Sequence, residues 1–310
     1  MLPELPWRSR EIETGPIRLG ARRLYILPTR AGLVYAALLL SLLIGAMNYA
    51  VSLAYLFTFW LAALGVVAML HTQRNLAGLS LRPLPIAPIF AGESARCIMQ
   101  VDNPGGLQRS RIALSHPTGG LTVADVSAHG QSELSLALLQ PRRGWHPVGR
   151  LDIHSQAPLG LFRCWSVLRP DWGVLVYPTP SASRRPLPEQ TASSGDAVAT
   201  RRGDEEFSAL RSYQPGDPSR RIAWRTLARG GNLMTKQFAG SGGGALWLDW
   251  SALTETDTEA RLSQLTRWAL DAHAAGRRYG LRLPGRQIDP DSGEAQLRRC
   301  LEALARHGLD

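Results

Sequence analysis

The sequence contains one lysine, Lys236, although lysine and arginine together number 35. Positive charge therefore rests almost entirely on arginine, and the formal net charge is +10. The G-x-x-x-x-G-K-[ST] loop of phosphate-binding proteins is absent, and so are H-E-x-x-H and G-x-S-x-G, which removes three common enzyme classes from consideration. No RNP-, zinc- or helix-turn-helix-type signature accompanies the basic charge, so we expect no nucleic-acid partner. A negatively charged membrane surface fits this charge at least as well.

Cysteine is also scarce. Cys97, Cys164 and Cys300 are far apart, odd in number and never in a C-x-x-C pair. This spacing argues against a disulfide framework and against a zinc site. We therefore expect three small buried side chains, and the sequence suggests no cofactor.

Charge and proline are both missing from residues 31–70. As one helix this segment would be about 60 Å long, about twice the thickness of the hydrocarbon layer of a bilayer. Two spans joined by a tight turn at Asn48 and Tyr49 use the length better than one span followed by a buried helix. The sequence therefore predicts a transmembrane hairpin.

Arginines flank both ends of this apolar segment, whereas the turn between the two spans is uncharged. The positive-inside rule places the basic N-terminus, residues 1–30, and everything after residue 70 in the cytoplasm. We expect a multi-pass membrane protein with both termini cytoplasmic.

Residues 78–178 carry seven short apolar and β-branched runs separated by proline and glycine turns. This pattern predicts a β-sandwich-like domain rather than a few strands of a larger α/β sheet. Residues 179–202 contain three prolines and almost no large apolar side chain, and we interpret them as a flexible linker.

Residues 203–310 end in alternating strand and helix patterns. "GALWLDW" and "YGLRL" predict buried strands, and an amphipathic helix between them ends near Gly276. Asp291 and Glu294 have capping-box-like spacing ahead of a second helix. We expect a small α/β domain with a parallel sheet.

An arginine-rich segment, "QPGDPSRRIAWRTLARGG", precedes these strands. Asp217 and Pro218 suit the N-cap and first position of a helix that would end at Gly230. Arg221, Arg225 and Arg229 would then share one face, at a cost of a few tenths of a kcal/mol per pair. Solvation, pairing within the domain, an acidic protein partner or a phosphate-type ligand could each offset that cost.

The stretch "GDEEFSALRSYQPGDPSRRIAWRTLARGGNLMTKQF" closely resembles the signature of the bacterial domain-of-unknown-function 58 family. Further resemblance in "PRRGWHPVGRLDIHSQAPLGLFRCW" and "RLSQLTRWALDAHAAGRRYGLRLPG" extends it over nearly the whole chain. The signature residues here are Arg211, Tyr213, Pro215, Gly216, Asp217, Arg221 and Trp224.

The resemblance implies two N-terminal spans in a bacterial inner (plasma) membrane and a C-terminal part like a truncated von Willebrand A domain. It also implies a role in one membrane-associated system with a MoxR-type AAA+ ATPase, von Willebrand A-domain proteins and a transglutaminase-like membrane protein. A von Willebrand A metal site has D-x-S-x-S after its first strand. Here Asp249 and Ser251 match, but the fifth residue is Leu253. The sequence therefore predicts no metal, and these two residues are the only candidates for one.

Two hypotheses follow. The first is a membrane-anchored, non-enzymatic adaptor or scaffold that presents Arg221, Trp224, Arg225 and Arg229 to a protein partner. The alternative is an anion- or metal-binding protein, or an uncharacterised enzyme, that uses the region from Asp217 to Arg225.

Overall fold

A computed structural model of the chain describes residues 12–183, 185–188, 206–212, 234–239 and 245–309. The chain forms two compact units, and the first ends at Tyr177. The second begins at Pro178.

Two long helices occupy the N-terminal part of the first unit, α1 (Arg30–Tyr49) and α2 (Ser52–Leu76). In the described part of the chain these are the helices long and apolar enough to cross a membrane, and only 11% and 17% of their most apolar windows are buried. The prediction of two apolar N-terminal helices is confirmed. The turn lies just after the predicted Asn48 and Tyr49, at Ala50, whose backbone is left-handed with φ 49°.

Helix α2 continues beyond residue 70, where the uncharged segment ends. Its last turns are polar in sequence, yet Thr72, Asn75 and Leu76 are buried. They are buried because this end of α2 packs against strands β6, β10 and β11 of the β-rich region.

In the described part of the first unit, two strands precede these helices in the sequence and ten follow them, and together they form three sheets. Their bounds are β1 (Ile17–Arg18), β2 (Tyr25–Pro28), β3 (Ser80–Pro83), β4 (Ile89–Phe90), β5 (Ser94–Asp102), β6 (Arg109–Ser115), β7 (Leu121–Val126), β8 (Gln131–Leu139), β9 (Gly144–Pro147), β10 (Leu151–Ser155), β11 (Phe162–Leu168) and β12 (Gly173–Tyr177). The sheet orders are β1-β3-β5-β8, β2-β11-β10-β6-β7 and β4-β12-β9. All seven runs in the sequence correspond to strands of this multi-sheet region.

One hydrophobic core joins the sheets. Strand β5 alternates exposed and buried residues because successive side chains of a strand point to opposite faces. Its inward residues Cys97, Met99 and Val101 belong to the same buried cluster as Leu114 of β6 and Leu151 of β10.

Strands β1 and β2 lie within residues 1–30, which the sequence suggested were only a basic N-terminus. Ile17 pairs with Leu81, and residues 25–28 pair with residues 162–165 at the edge of the five-stranded sheet. Each strand is too short to show a period-two pattern, and arginines lie next to both of them in the sequence. The β-rich region is thus assembled from chain on both sides of the helices.

The second unit contains parallel strands β15 (Leu246–Asp249) and β16 (Tyr279–Leu283), connected by helix α3 (Thr258–Ala274). Strand β17 (Arg286–Asp291) pairs antiparallel with β16 and is followed by α4 (Glu294–Arg306). Two further strands, β13 (Glu206–Ser212) and β14 (Met234–Ala239), pair antiparallel. The predicted alternation of strands and helices is confirmed, and β17 was not anticipated.

The structure confirms the predicted end of α3 but not the predicted start of α4. Gly276 has φ 63°, and the Arg277 N–H donates to the Ala272 carbonyl, which is the Schellman arrangement expected after α3. The capping-box prediction at Asp291 is wrong. Asp291 ends β17, and Gly293 is the residue before α4, with no side-chain cap.

The beginning of the predicted linker is held against helix α3. The Ser181 N–H donates to the Ser263 carbonyl (3.0 Å), and the Trp268 indole donates to the Arg185 carbonyl (3.3 Å). Arg185 also pairs with Glu255. The local composition is typical of a loop, yet these backbone groups form hydrogen bonds with residues of α3. Ser181 and Arg185 are therefore attached to that helix. Residues 189–202 lie outside the described ranges.

Replacing Gly32 by alanine tests how closely α1 packs on the β-rich region. A Cβ at Gly32 would overlap the Leu161 carbonyl oxygen, whereas a Cβ at Gly45 of the same helix would meet nothing within 4 Å. We expect Gly32→Ala to lower the free energy of unfolding by about 1–3 kcal/mol, as overpacking does. Gly45→Ala is the matched control and should be neutral or slightly stabilising. Thermal unfolding of both variants in detergent makes the comparison, and equal midpoints would contradict this packing.

Candidate functional site

All four residues predicted to bind a partner lie outside the described ranges. This holds for Arg221, Trp224, Arg225 and Arg229, and for the signature residues Tyr213, Pro215, Gly216 and Asp217. The backbone of Arg211 is described as part of β13, where it pairs with Thr235 of β14. The strands that flank the arginine-rich segment in sequence, β13 and β14, therefore form a two-stranded antiparallel ladder.

The two metal candidates, Asp249 and Ser251, interact with each other. One carboxylate oxygen of Asp249 accepts hydrogen bonds from the Ser251 N–H (2.8 Å) and from the Ser251 hydroxyl (2.7 Å). The other oxygen lies 3.9 Å from the Arg282 guanidinium, which stacks 3.8 Å from the centre of the Trp247 ring. Both oxygens thus contact groups of the protein, in the manner of a cap and an ion pair. No group of three histidine, cysteine or acidic side chains suited to a metal occurs among the described residues.

The three cysteines are free and buried, as the sequence predicted. Burial raises the pKa of the Cys97 and Cys164 thiols to about 11 and that of Cys300 to about 12. The thiolate is the nucleophilic form of cysteine. At neutral pH these three side chains are therefore protonated and behave as small apolar groups.

A groove lies where the chain passes from strand β2 into helix α1. It has a volume of about 590 Å³. The residues that line it come from the end of β2, the start of α1, β11, and β10 with the residues just before and after it: Leu27, Pro28, Thr29, Arg30, Arg150, Asp152, Gln156, Arg163 and Trp165.

Strand register explains why these side chains share one face. Leu27 of β2 pairs with Arg163 of β11, and Tyr25 pairs with Trp165. His154 of β10 lies opposite Trp165 on the other side. Residues two apart in a strand point to the same face, so all five side chains project from the outer surface of the five-stranded sheet. The Tyr25 and Trp165 rings are in contact, with centroids 5.7 Å apart.

Thr29 fixes the position of α1 at the end of this groove. Its hydroxyl donates to the Gly160 carbonyl (2.6 Å) and accepts from the Gly32 N–H (3.2 Å), which makes it the N-cap of α1. Its own N–H donates to the Leu161 carbonyl (2.9 Å). A threonine before an apolar run is a recognised start signal for a helix, so this element could be read from sequence.

Asn75 fixes the position of α2 on the same sheet. Its amide nitrogen donates to the Ser110 carbonyl (2.8 Å) and to the Ser155 hydroxyl (2.7 Å), and its oxygen accepts from the Ser110 N–H (3.0 Å). The Arg109 guanidinium donates to the Arg74 carbonyl near the C-terminus of α2. A cation is favourable at that end of a helix. These contacts join α2 to β6 and β10, and no sequence motif announces them.

Positive charge dominates the groove. Arg150 pairs with Asp152 through three contacts of 2.9–3.3 Å. Arg30 and Arg163 have no ion pair within the part of the chain that the structure describes. The Arg163 charge also acts on His154. Burial, and after it Arg163, lowers the pKa of His154, while Asp152 opposes the shift.

Searches with protein-family models and against curated proteins found no match to this chain. The resemblance to the domain-of-unknown-function 58 family therefore stays a prediction from its sequence signature.

His154 should make the stability of the chain sensitive to mild acid. Its Nδ1 atom is buried without a hydrogen-bond partner, and the folded state favours the neutral ring. Below the unfolded pKa of about 6.5 the unfolded chain binds more protons than the folded one, so stability falls as pH falls. The loss stops once the pH is below the folded pKa. We expect the melting temperature to fall between pH 7 and pH 5, and to fall less in His154→Gln.

Other groups also titrate in this range, so the test is the difference in pH dependence between the wild type and His154→Gln. His129→Asn, at an exposed position with φ 53° that asparagine tolerates, is the control and should keep the wild-type slope. Identical pH slopes in wild type and His154→Gln would show that His154 is not the responsible group.

Proposed function

We propose that this chain is a membrane-anchored, non-enzymatic adaptor or scaffold with a cytoplasmic head. The proposal includes membership of the domain-of-unknown-function 58 family and work alongside a MoxR-type AAA+ ATPase. The observation that carries it is the junction between the helices and the β-rich region. Both crossings of the chain are hydrogen-bonded there, at Thr29 and at Asn75.

A head fixed in this way is a platform rather than a domain on a tether. The C-terminal end of α2 is part of the protein core, since Leu76 belongs to the same buried cluster as residues of both larger sheets. The hairpin and the β-rich region are therefore joined through packed side chains. That property suits an adaptor whose β-rich region is held at a set height above a membrane.

The hairpin itself supports membrane anchoring. The large apolar side chains of α1 and α2 point outward over most of their length, as in Leu33, Leu40, Phe59 and Trp60, each more than half exposed. Soluble monomers rarely leave an apolar surface of this extent open to water. Within the hairpin, the Tyr35 hydroxyl donates to the Leu61 carbonyl (2.6 Å), which joins the two helices.

Cytoplasmic placement of the head is supported by charge. Arg22 and Arg23 precede α1, Arg30 is its first residue, and Arg74 and Arg82 follow the apolar part of α2. The turn at Ala50 and Val51 is uncharged. Positive residues are retained on the cytoplasmic side of a membrane. Multi-pass topology with both termini inside is therefore the orientation we propose.

The finer architecture is also proposed. A β-sandwich is supported by the single core to which both larger sheets contribute. A truncated von Willebrand A-like fold for the second unit is supported by the parallel pair β15 and β16 with α3 between them. It is a minimal version, since the sheet of β15, β16 and β17 has three strands in the described residues.

Absence of enzyme activity is supported by the state of the best candidate groups. The cysteines are protonated, and Asp249 is engaged by Ser251 and Arg282. We assign partner binding to the arginine-rich segment, which lies in sequence between the paired strands β13 and β14. An acidic surface on the ATPase, or on a von Willebrand A-domain or transglutaminase-like membrane protein, would complement it.

Crosslinking in the native membrane tests this function. We expect a MoxR-type ATPase to be recovered with the wild-type chain. Its recovery should fall by about tenfold or more when Arg221→Glu, Arg225→Glu and Arg229→Glu are combined. Like charges placed across an interface cost several kcal/mol, which is the reason for the expected loss. Mass spectrometry of the crosslinked complexes gives the measurement.

A charge-matched control separates specific docking from a change in net charge. Arg277→Glu, Arg286→Glu and Arg298→Glu alter three exposed arginines of the second unit by the same total charge. This control should retain the ATPase. Equal recovery with all three proteins would remove the arginine-rich segment as the docking surface, and no ATPase with any of them would contradict the adaptor function.

A further inference from the structure

The groove at the start of α1 has the position, charge and shape of a phosphate site at a membrane surface. Helix α1 has 20 residues and is therefore about 30 Å long, which equals the thickness of the hydrocarbon layer. If α1 crosses the bilayer, Arg30 at its first position lies at the edge of that layer. The groove that Arg30 lines is then at the level of the lipid headgroups. This step rests on the membrane anchoring proposed above.

The charge of the groove suits an anion. Arg30, Arg150 and Arg163 carry three positive charges, and Asp152 carries one negative charge that Arg150 neutralises. Two guanidinium groups therefore remain without an ion pair among the described residues. Arginine is the side chain best shaped to bind phosphate, because its planar fork can donate two parallel hydrogen bonds. The positive end of the α1 dipole adds to the attraction.

The remaining lining is amphipathic, as expected at a bilayer surface. The Trp165 ring contacts the Tyr25 ring in a tilted arrangement, and both residue types are enriched at the boundary between headgroups and hydrocarbon. Leu27 in the lining is 58% exposed, and Leu159, next in sequence to the Gly160 that accepts from Thr29, is 53% exposed. A soluble phosphate ester would gain nothing from these apolar groups, whereas the glycerol and upper acyl carbons of a lipid would contact them.

We propose that this groove binds the phosphate of an anionic phospholipid, of the phosphatidylglycerol type. Arg30 and Arg163 hold the phosphate, Gln156 hydrogen-bonds the polar headgroup, and Trp165 and Leu27 cover its apolar side. The bound lipid would bridge the first turn of α1 and the outer face of the five-stranded sheet. It would therefore strengthen the same junction that Thr29 and Asn75 form.

Thermal unfolding of the full chain in a zwitterionic detergent tests this site with defined probes. Dihexanoyl phosphatidylglycerol should raise the melting temperature by about 5 °C at saturation, and dihexanoyl phosphatidylcholine should not. Inorganic phosphate and glycerol 3-phosphate distinguish a soluble anion from a lipid. An equal rise with either of them would overturn the lipid assignment in favour of a soluble phosphate.

Variants locate the site. The phosphatidylglycerol shift should disappear in Arg30→Gln combined with Arg163→Gln, and should be partly retained in Arg163→Lys. Arg82→Gln removes an exposed arginine of the four-stranded sheet and should keep the full shift. Asp152→Asn releases Arg150 and should produce the wild-type shift at a lower lipid concentration. Each shift is measured against the same variant without lipid, so a change in basal stability does not enter.

The outcome can be separated from that of membrane anchoring. Resistance of the chain to carbonate extraction from membranes reports anchoring and does not depend on the groove. If the chain resists extraction but phosphatidylglycerol gives no shift, or gives the same shift in the double arginine variant, the lipid site is wrong and the anchor stands. If carbonate releases the chain, the anchor is wrong, and the headgroup-level position of the groove is lost with it.

Discussion

A buried asparagine, Asn75, holds the last turn of the second apolar helix against two strands of the β-rich region. A buried amide must have hydrogen-bond partners, because leaving its polar atoms unpaired costs about 1–3 kcal/mol for each group. Ser110 and Ser155 supply those partners. The helix can therefore leave the sheet only if these polar groups lose their hydrogen-bond partners. This requirement fixes the orientation of the hairpin relative to the β-rich region.

The second constraint acts where the chain enters α1. Thr29 caps α1 and donates to the loop that ends at Leu161, and only a glycine at position 32 lets the helix approach that loop. The groove exists because β2 ends where α1 begins, so that Arg30 lies beside Arg150 and Arg163. Its cationic character and the fixed hairpin thus have one structural origin, the attachment of both helices to the five-stranded sheet.

Patterns of adjacent residues could be predicted from the sequence, and contacts between distant residues could not. The uncharged run at residues 31–70, the alternation in β5 and the helix stop at Gly276 each depend on neighbours in sequence. Strand β2 could not be found, since four residues before a helix carry no period and its partner β11 lies over 130 residues away. The groove depends on that same pairing, so its three arginines could not be grouped from sequence.

The central claim is that the hairpin and the β-rich region move as one body, and a distance between spin labels in bilayer nanodiscs tests it directly. Tyr49→Cys at the hairpin turn and Glu133→Cys on β8 are exposed labelling sites, and the three native cysteines are buried. We predict one narrow distance distribution that broadens in Asn75→Ala and does not change in Gln73→Ala on the same turn. A broad distribution in the wild-type protein would contradict the account.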